Sequence, residues 1–271
     1  IMLAVWLMWT AVGSGVIGKL LYRIQKLKHL LIFGHVLTVL LLPVTLYVSR
    51  VGFSLINKTP GESISLTLAI CFPLVVLAPF CVVQGTLFTI SCQLIARKAM
   101  NQKTVVAALY VQEGVGAVFG GLLGNILLTL KLSPFQMAVG LWVPVLLIIF
   151  INYWPPKYPQ RLFLVLTGLG CLLFFWRSNG ILEKKSLHRF WHPVTPVSTT
   201  YSKFGVITTT KQDETFSFFQ NNIHLLTTSD KYHAEAAAHI PMLYHHNPQK
   251  VLLLGGGLGG ILDELVKYQK I

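Results

Sequence analysis

The stretch that decides the fold of the C-terminal part is Val251-Leu252-Leu253-Leu254, which runs directly into Gly255-Gly256-Gly257-Leu258-Gly259-Gly260. Four consecutive apolar residues before a glycine cluster are typical of a buried parallel strand. Residues 261–267, after the cluster, have the pattern of a helix. Strand, glycine loop and helix in this order are the context in which a G-x-G-x-x-G motif carries meaning. We therefore predict the start of an α/β Rossmann-like domain.

The glycine loop is the predicted ligand-binding element. Gly255, Gly257 and Gly260 occupy the three motif positions, and glycine accepts positive φ and lets the backbone approach a ligand closely. The residues of this predicted site are Gly255, Gly256, Gly257, Leu258, Gly259 and Gly260. A tight turn that binds nothing is the alternative. The acidic residue that binds a ribose, about 20 positions further on, would fall beyond Ile271.

The residues before this strand predict a small β-domain over 201–230 and a helix over 231–244. Alternating Thr, Val, Ile and Phe predict two or three short antiparallel strands, with Asn221-Asn222 as a tight turn. Several alanines favour the helix, which Asp230 can cap. Residues 178–200 mix charges, prolines and aromatics, and we predict a linker there.

Residues 1–177 differ sharply from the rest of the chain. The 271 residues are 54% hydrophobic and 11% charged, whereas an ordinary soluble domain has about 25% charged residues. Of the net charge of +13, residues 1–177 carry +11 and the remainder +2. Lysines and arginines that flank apolar runs indicate membrane loops. We therefore expect the lipid bilayer, and no nucleic acid, as a partner.

Five apolar runs are near the length of about 20 residues that a membrane-spanning helix needs, and a sixth, 64–96, is much longer. They are 1–18, 29–48, 64–96, 104–130, 135–153 and 162–176. Pro73, Pro79 and Gly85 make the long third run either one kinked helix or a hairpin. The sequence therefore predicts a polytopic membrane domain of six, or seven, helices over residues 1–177.

The side of the membrane on which the C-terminal part lies has two readings. If 64–96 is one helix, the basic segments 19–28, 97–103 and 157–161 share a side, which the positive-inside rule makes cytoplasmic. The chain after Trp176 then leaves on the opposite side. Four basic residues favour the cytoplasm for it instead: Arg177, Lys184, Lys185 and Arg189. We predict a cytoplasmic tail and leave the first reading open.

Glu113, between Gln112 and Gly114, is the intramembrane candidate residue. Acids within membrane spans are costly and usually face a cavity or a partner. A proton or cation site is one reading, and a carboxylate bonded to Gln112 or to a neighbouring helix is the other. Two sets of small residues predict close helix packing: Gly116, Gly120 and Gly124 in one span, and Gly13, Ser14 and Gly18 in another.

No metal site is predicted. The neighbours His245 and His246 point apart on a helix, and no cysteine or acid pairs convincingly with His239 in the sequence.

Residues 201–268 resemble the spermidine synthase (polyamine aminopropyltransferase) family, and the whole chain looks like its bacterial membrane-fused variety. The family pattern is a short β-domain, then D-E-x-x-Y-H-E, H-P-x-P and a strand ending in G-G-G-D-G-G. The corresponding stretches here are Asp230-Lys231-Tyr232-His233-Ala234-Glu235, Asn247-Pro248-Gln249-Lys250 and Gly255–Gly260. The spacing from Glu235 through His239 to Gly255 matches without a gap, and Glu264 fits the acid of the next helix.

The resemblance implies an adenosyl substrate, decarboxylated S-adenosylmethionine or S-adenosylmethionine, and a small-molecule amine. It also implies a place in the inner or plasma membrane of a bacterium. The substrate-binding candidates are Asp230, Tyr232, His233 and Glu235. Leu258 replaces the loop aspartate of the family, and the catalytic aspartate would lie beyond Ile271.

Three functions follow. The first is an aminopropyltransferase-like transferase that is inactive in the chain as given. The second is a transporter whose tail senses a nucleotide or polyamine. The third is a non-catalytic relic scaffold.

Overall fold

A computed structural model of the chain describes residues 1–21, 24, 26–55, 61–62, 64–97, 102–152, 158–228 and 230–268. The chain divides into two compact units. The first comprises Ile1–Lys58 and Ser63–Phe190, and the second comprises Thr59–Glu62 and Trp191–Ile271. Parts of the predicted basic segments 19–28, 97–103 and 157–161 lie outside the described residues.

Helices account for the first unit. They are α1 (Met2–Val12), a π-helical turn (Gly13–Ile17), α2 (Gly18–Leu20), α3 (Leu27–Leu55), α4 (Leu66–Ala96), α5 (Gln102–Thr129), α6 (Pro134–Gly140), α7 (Trp142–Asn152) and α8 (Tyr158–Trp191). The Ser65 hydroxyl accepts from Leu68 N–H and caps α4, and Ser133 and Gln136 form a capping box on α6.

Four helical stretches among the described residues are long and apolar enough to cross a membrane. They are Met2–Leu20, Leu27–Gly52, Leu66–Ala96 and Thr104–Thr129. The third is one helix in spite of Pro73 and Pro79, so the hairpin alternative with seven spans is wrong. The predicted fifth run is two short helices, because α6 ends at Gly140 and α7 begins only at Trp142.

A four-stranded antiparallel sheet opens the second unit. Its strands, in the order β1-β2-β3-β4, are β1 (Thr195–Ser202), β2 (Gly205–Gln212), β3 (Thr215–Gln220) and β4 (Ile223–Thr227). Asn221 and Asn222 both have positive φ, +50° and +67°, which asparagine tolerates in tight hairpin turns. The sheet has four strands where two or three are predicted, since most of β1 falls within the predicted linker 178–200.

The predicted linker 178–200 has regular structure at both ends. Helix α8 continues through Trp191, and β1 begins at Thr195. The Trp191 side chain is buried, and its ring centroid lies 4.7 Å from that of Phe219 in β3.

Two helices follow the sheet, α9 (Lys231–Tyr244) and α10 (Ile261–Leu265). The strand predicted over Val251–Leu254 is wrong as far as the described residues go, because this stretch pairs with none of them. Leu252 and Leu254 are 84% and 85% exposed. An apolar run becomes a strand only beside a hydrogen-bonded neighbour, so its sequence alone does not suffice.

Candidate functional site

Helix α9 is the element on which the candidate site is built. It begins at Lys231 and ends at Tyr244, as the alanine-rich sequence predicts. Ala234, Ala238 and Met242 recur every fourth residue and are its buried face. The substrate-binding candidates Tyr232, His233 and Glu235 therefore lie beside this buried face.

Asp230 acts as the N-cap of α9. One carboxylate oxygen accepts from the backbone N–H of His233 at 3.2 Å, and the other lies 2.7 Å from His233 Nδ1. The hydrogen bonds from the His233 side chain and backbone lower the pKa of the Asp230 carboxyl group. The helix-cap reading of Asp230 is therefore what the structure describes, and its role as a ligand group stays a prediction.

The glycine loop has positive φ at two of its three motif positions, Gly255 and Gly260, but not at Gly257. Gly255, Gly256 and Gly260 have φ of +80°, +73° and +84°, which side-chain-bearing residues rarely adopt. Gly259 N–H donates to the carbonyl of Gly256 at 3.0 Å. A Cβ at Gly256 would lie 2.8 Å from Ile261 Cδ1. Glycine is therefore required at these positions by the fold of the loop itself.

The end of the glycine loop packs against α9. A Cβ placed on Gly260 would lie 3.5 Å from the Cβ of Ala234. This contact brings residues 255–260 close to the candidates of residues 230–235. Tyr232 and Glu235 are exposed, Tyr232 by 77%. Leu258, at the position of the family aspartate, is 67% exposed. The side chains of these three residues are therefore accessible to solvent.

A cluster that the sequence did not predict joins α9 to α10. His239 Nε2 lies 3.2 Å from Glu264 Oε2, and His239 Nδ1 lies 2.7 Å from the Tyr268 hydroxyl oxygen. Lys267 Nζ donates to the same Glu264 oxygen at 2.5 Å. Because a carboxylate only accepts, Nε2 carries the proton in neutral His239, and Nδ1 accepts from the tyrosine hydroxyl. The sequence-based statement that no acid pairs with His239 is thus wrong.

The charges of this cluster stabilise each other. The hydrogen bond from Lys267, helped by its charge and by His239, lowers the pKa of the buried Glu264 carboxyl group. The same bond raises the pKa of Lys267, to which the Glu235 carboxylate also contributes. Glu264 is therefore ionised near neutral pH and holds α10, the helix after the glycine loop, against α9.

Glu113 is exposed on α5, in the first unit. The close packing predicted for Gly116, Gly120 and Gly124 is wrong for the described residues, since nothing lies within 4 Å of a Cβ there. The packing predicted for Gly13 and Gly18 is confirmed: Cβ atoms there would lie 2.2 Å from the Val82 carbonyl oxygen and 2.6 Å from the Thr89 side chain.

No group of three or more His, Cys, Asp and Glu among the described residues could hold a metal ion. The carboxylate nearest His239, that of Glu264, also pairs with Lys267. The absence of a metal from the function stays a prediction.

The resemblance predicts a small antiparallel sheet, followed in the chain by a capped helix on which a glycine loop packs. Comparison with known proteins gives the same class. Residues 230–271 match the family described as Spermine/spermidine synthase domain. Residues 230–271 are therefore similar to the spermine/spermidine synthase domain.

Curated relatives are polyamine aminopropyltransferases. The protein of Thermotoga maritima is 42% identical over 55 residues, 20% of this chain and 19% of the relative. The protein of Clostridium kluyveri is 29% identical over 98 residues, 35% of each chain. The protein of Archaeoglobus fulgidus is 44% identical over 46 residues, 17% of each chain. The matched part thus spans between about a fifth and a third of the relatives' length. No solved structure matches the chain.

Proposed function

We propose that this chain is part of a membrane-bound, spermidine synthase-like protein whose glycine loop binds an adenosyl nucleoside. The observation that carries the proposal is the backbone of residues 255–260. Three of its glycines have positive φ, and the loop lies within the segment that matches the spermine/spermidine synthase domain. Completion of this part as a Rossmann-like domain belongs to the same proposal.

The proposed donor is decarboxylated S-adenosylmethionine, the aminopropyl substrate of the family, with S-adenosylmethionine as the alternative. Transfer forms a C–N bond to an amine while the C–S bond of the donor breaks, with the electron pair staying on sulfur and the amine proton leaving to a base. The exposed carboxylate of Glu235, close to the loop, suits a cationic amine. No residue of this chain is proposed as the base.

Leu258 is the residue that fits the donor least well. A leucine side chain cannot pair with the amino group of the donor, for which the family provides an aspartate. A non-catalytic scaffold is therefore the second candidate function, and Leu258 favours it. The transporter reading requires a path along Glu113, and the exposure of that residue on α5 gives it no support.

The four long apolar helices support a place in a membrane. We propose the inner or plasma membrane of a bacterium, as in the membrane-fused variety that the chain resembles. A cytoplasmic tail is part of the proposal, since Arg177, Lys184, Lys185 and Arg189 favour that side.

Calorimetric titration of the purified full chain with decarboxylated S-adenosylmethionine tests the proposal. Gly257→Ala is the informative variant, because a Cβ at Gly257 would meet only Leu262 Cδ1, at 3.8 Å. The variant should fold normally but bind decarboxylated S-adenosylmethionine at least tenfold more weakly. The reason is that the added methyl group would lie where the ligand is proposed to contact the backbone of the loop. Gly15→Ala, in the π-helical turn and with open space around it, is the matched control.

Leu258→Asp tests the same site in the opposite direction. The exposed position tolerates a charge, and the new carboxylate should raise the affinity for the decarboxylated donor about tenfold. A wild-type chain without measurable binding, and no gain in Leu258→Asp, would favour the non-catalytic scaffold.

A further inference from the structure

Three helices of the first unit meet at Arg50, close to the end of α3. Arg50 Nη1 donates to Glu183 Oε1 and to Ser186 Oγ, both at 2.9 Å. Glu183 and Ser186 belong to the polar second half of α8. Ser186 is completely buried, and the Arg50 and Glu183 side chains are only 17% and 12% exposed. An ion pair buried to this degree fixes the two helix segments at one level.

Phe135, at the start of α6, lies at the same level. The Arg50 guanidinium carbon is 5.3 Å from the centroid of the Phe135 ring, and this ring is fully buried. The contact is a cation–π interaction. The end of α3, the start of α6 and the polar half of α8 therefore share one end of the helical unit, which we call the Arg50 end.

The opposite end is defined by separate contacts. Arg97, directly after α4, donates from Nη2 to the carbonyl of Ile24 at 3.2 Å, and Ile24 lies between α2 and α3. Gln93 Nε2 donates to the carbonyl of Gly18 at 3.1 Å. The part of α3 from Leu27 to Arg50 is about 35 Å long at 1.5 Å per residue. That distance is close to the roughly 30 Å of a bilayer core.

We infer that the hydrophilic part after α8 lies on the same face of the membrane as the Arg50 end, opposite the segment around Ile24. Helices α4 and α5 take the chain away from the Arg50 end and back to it, which agrees with Phe135 lying there. The chain through α6, α7 and α8 then leaves and returns again, because Glu183 contacts Arg50. A soluble domain does not pass through lipid, so it stays on that face.

The inference rests on the membrane crossing proposed above, and it goes beyond it. It places two groups of basic residues on opposite faces, namely Lys26, Lys28 and Arg97 on one and Lys184 and Lys185 on the other. These groups are the ones that give conflicting orientations by the positive-inside rule. The compartment that supplies the proposed glycine loop with substrate is thus the one that the Arg50 end faces.

Cysteine labelling in sealed membrane vesicles of one orientation tests the inference. Cys71, Cys81, Cys92 and Cys171 are replaced by alanine, and one cysteine is introduced in each variant. The variants are Lys26→Cys for the end opposite the Arg50 end, Lys131→Cys for the Arg50 end and Glu214→Cys for the turn between β2 and β3, all at exposed positions. A membrane-impermeant maleimide is added before and after permeabilisation with detergent.

The expected result is that Lys131→Cys and Glu214→Cys behave alike, and Lys26→Cys behaves oppositely until the vesicles are permeabilised. Labelling of Glu214→Cys together with Lys26→Cys would overturn the inference and leave the membrane crossing intact. Labelling of all three variants in sealed vesicles would show instead that the helices do not cross, which removes the proposed membrane location. Lys211→Cys, exposed in the same hairpin, replaces Glu214→Cys if that variant fails to fold.

Discussion

Helix α1 meets α4 in the first unit, and α9 meets α10 in the second, through different kinds of contact. Between α1 and α4 the backbones touch: a Cβ on Gly85 would lie 2.0 Å from the carbonyl oxygen of Thr10. In the π-helical turn directly after α1, the carbonyls of Gly13 and Ser14 accept from the hydroxyl groups of Thr86 and Thr89, at 3.2 and 3.1 Å. Between α9 and α10 the contact is a charged cluster around Glu264.

The two kinds of contact suit different solvents. In lipid, apolar side chains gain nothing by leaving the solvent, so helices associate through small residues and interhelical hydrogen bonds. In water, a half-exposed histidine and an exposed lysine can hold a buried carboxylate. The α1–α4 contact therefore agrees with a membrane location of the first unit, and the α9–α10 contact agrees with an aqueous one for the second.

Gly85→Ala should have the largest effect. The added Cβ would meet backbone atoms of Thr10, which cannot turn away as a side chain can. We expect the free energy of unfolding to fall by about 3 kcal/mol, the upper end for overpacking. Thermal unfolding in detergent measures it. Gly140→Ala, with open space around the glycine, is the control, and equal melting temperatures of the two variants would contradict the close backbone contact.

Gly256→Ala should have the next largest effect. Gly256 has a φ of +73°, and a Cβ would lie 2.8 Å from Ile261 Cδ1. A non-glycine residue in the left-handed region costs about 1–2 kcal/mol. Gly257→Ala should cost almost nothing in stability, because no left-handed φ is required there. Chemical denaturation of both variants measures this difference in the free energy of unfolding. Equal losses of stability would show that the loop backbone differs from the one described.

Much of this architecture is predictable from local sequence. The bounds of α9, its cap at Asp230 and the turn at Asn221-Asn222 follow from short-range rules. What escaped prediction depends on partners distant in the chain. Strand β1 exists because β2 pairs with it, although Pro196 interrupts its alternating pattern. His239 and Glu264 are separated by 25 residues, and only the packing of α10 on α9 brings them together.

Glu264→Gln should have a smaller effect that depends on pH. The folded-state pKa of Glu264 lies below its ordinary range, so its ion pairs stabilise the fold above that range and are lost as the pH falls through the folded-state pKa. The wild-type melting temperature should therefore decline on acidification more steeply than that of Glu264→Gln. Asp263→Asn, one residue away, is the control. Parallel pH profiles of wild type and Glu264→Gln would contradict the charged cluster.

Asp230→Ala should have the smallest effect. Loss of the cap leaves the backbone N–H of His233 without its acceptor, so the first turn of α9 should fray. Hydrogen exchange of the amides of residues 231–234 should accelerate, while the amides of β2 remain unchanged. Asp230→Asn keeps a capping oxygen and should exchange like wild type. Uniformly faster exchange in both variants would mean that Asp230 does more than cap the helix.

The proposed ligand site lies in the second unit, not in the helices of the first. Hydrogen exchange of the full chain with and without decarboxylated S-adenosylmethionine tests it most directly. We expect the ligand to slow exchange at residues 255–260 and in the first turn of α9, with no change in α5. Protection of α5 around Glu113, with none in the glycine loop, would contradict the account and favour a transport function.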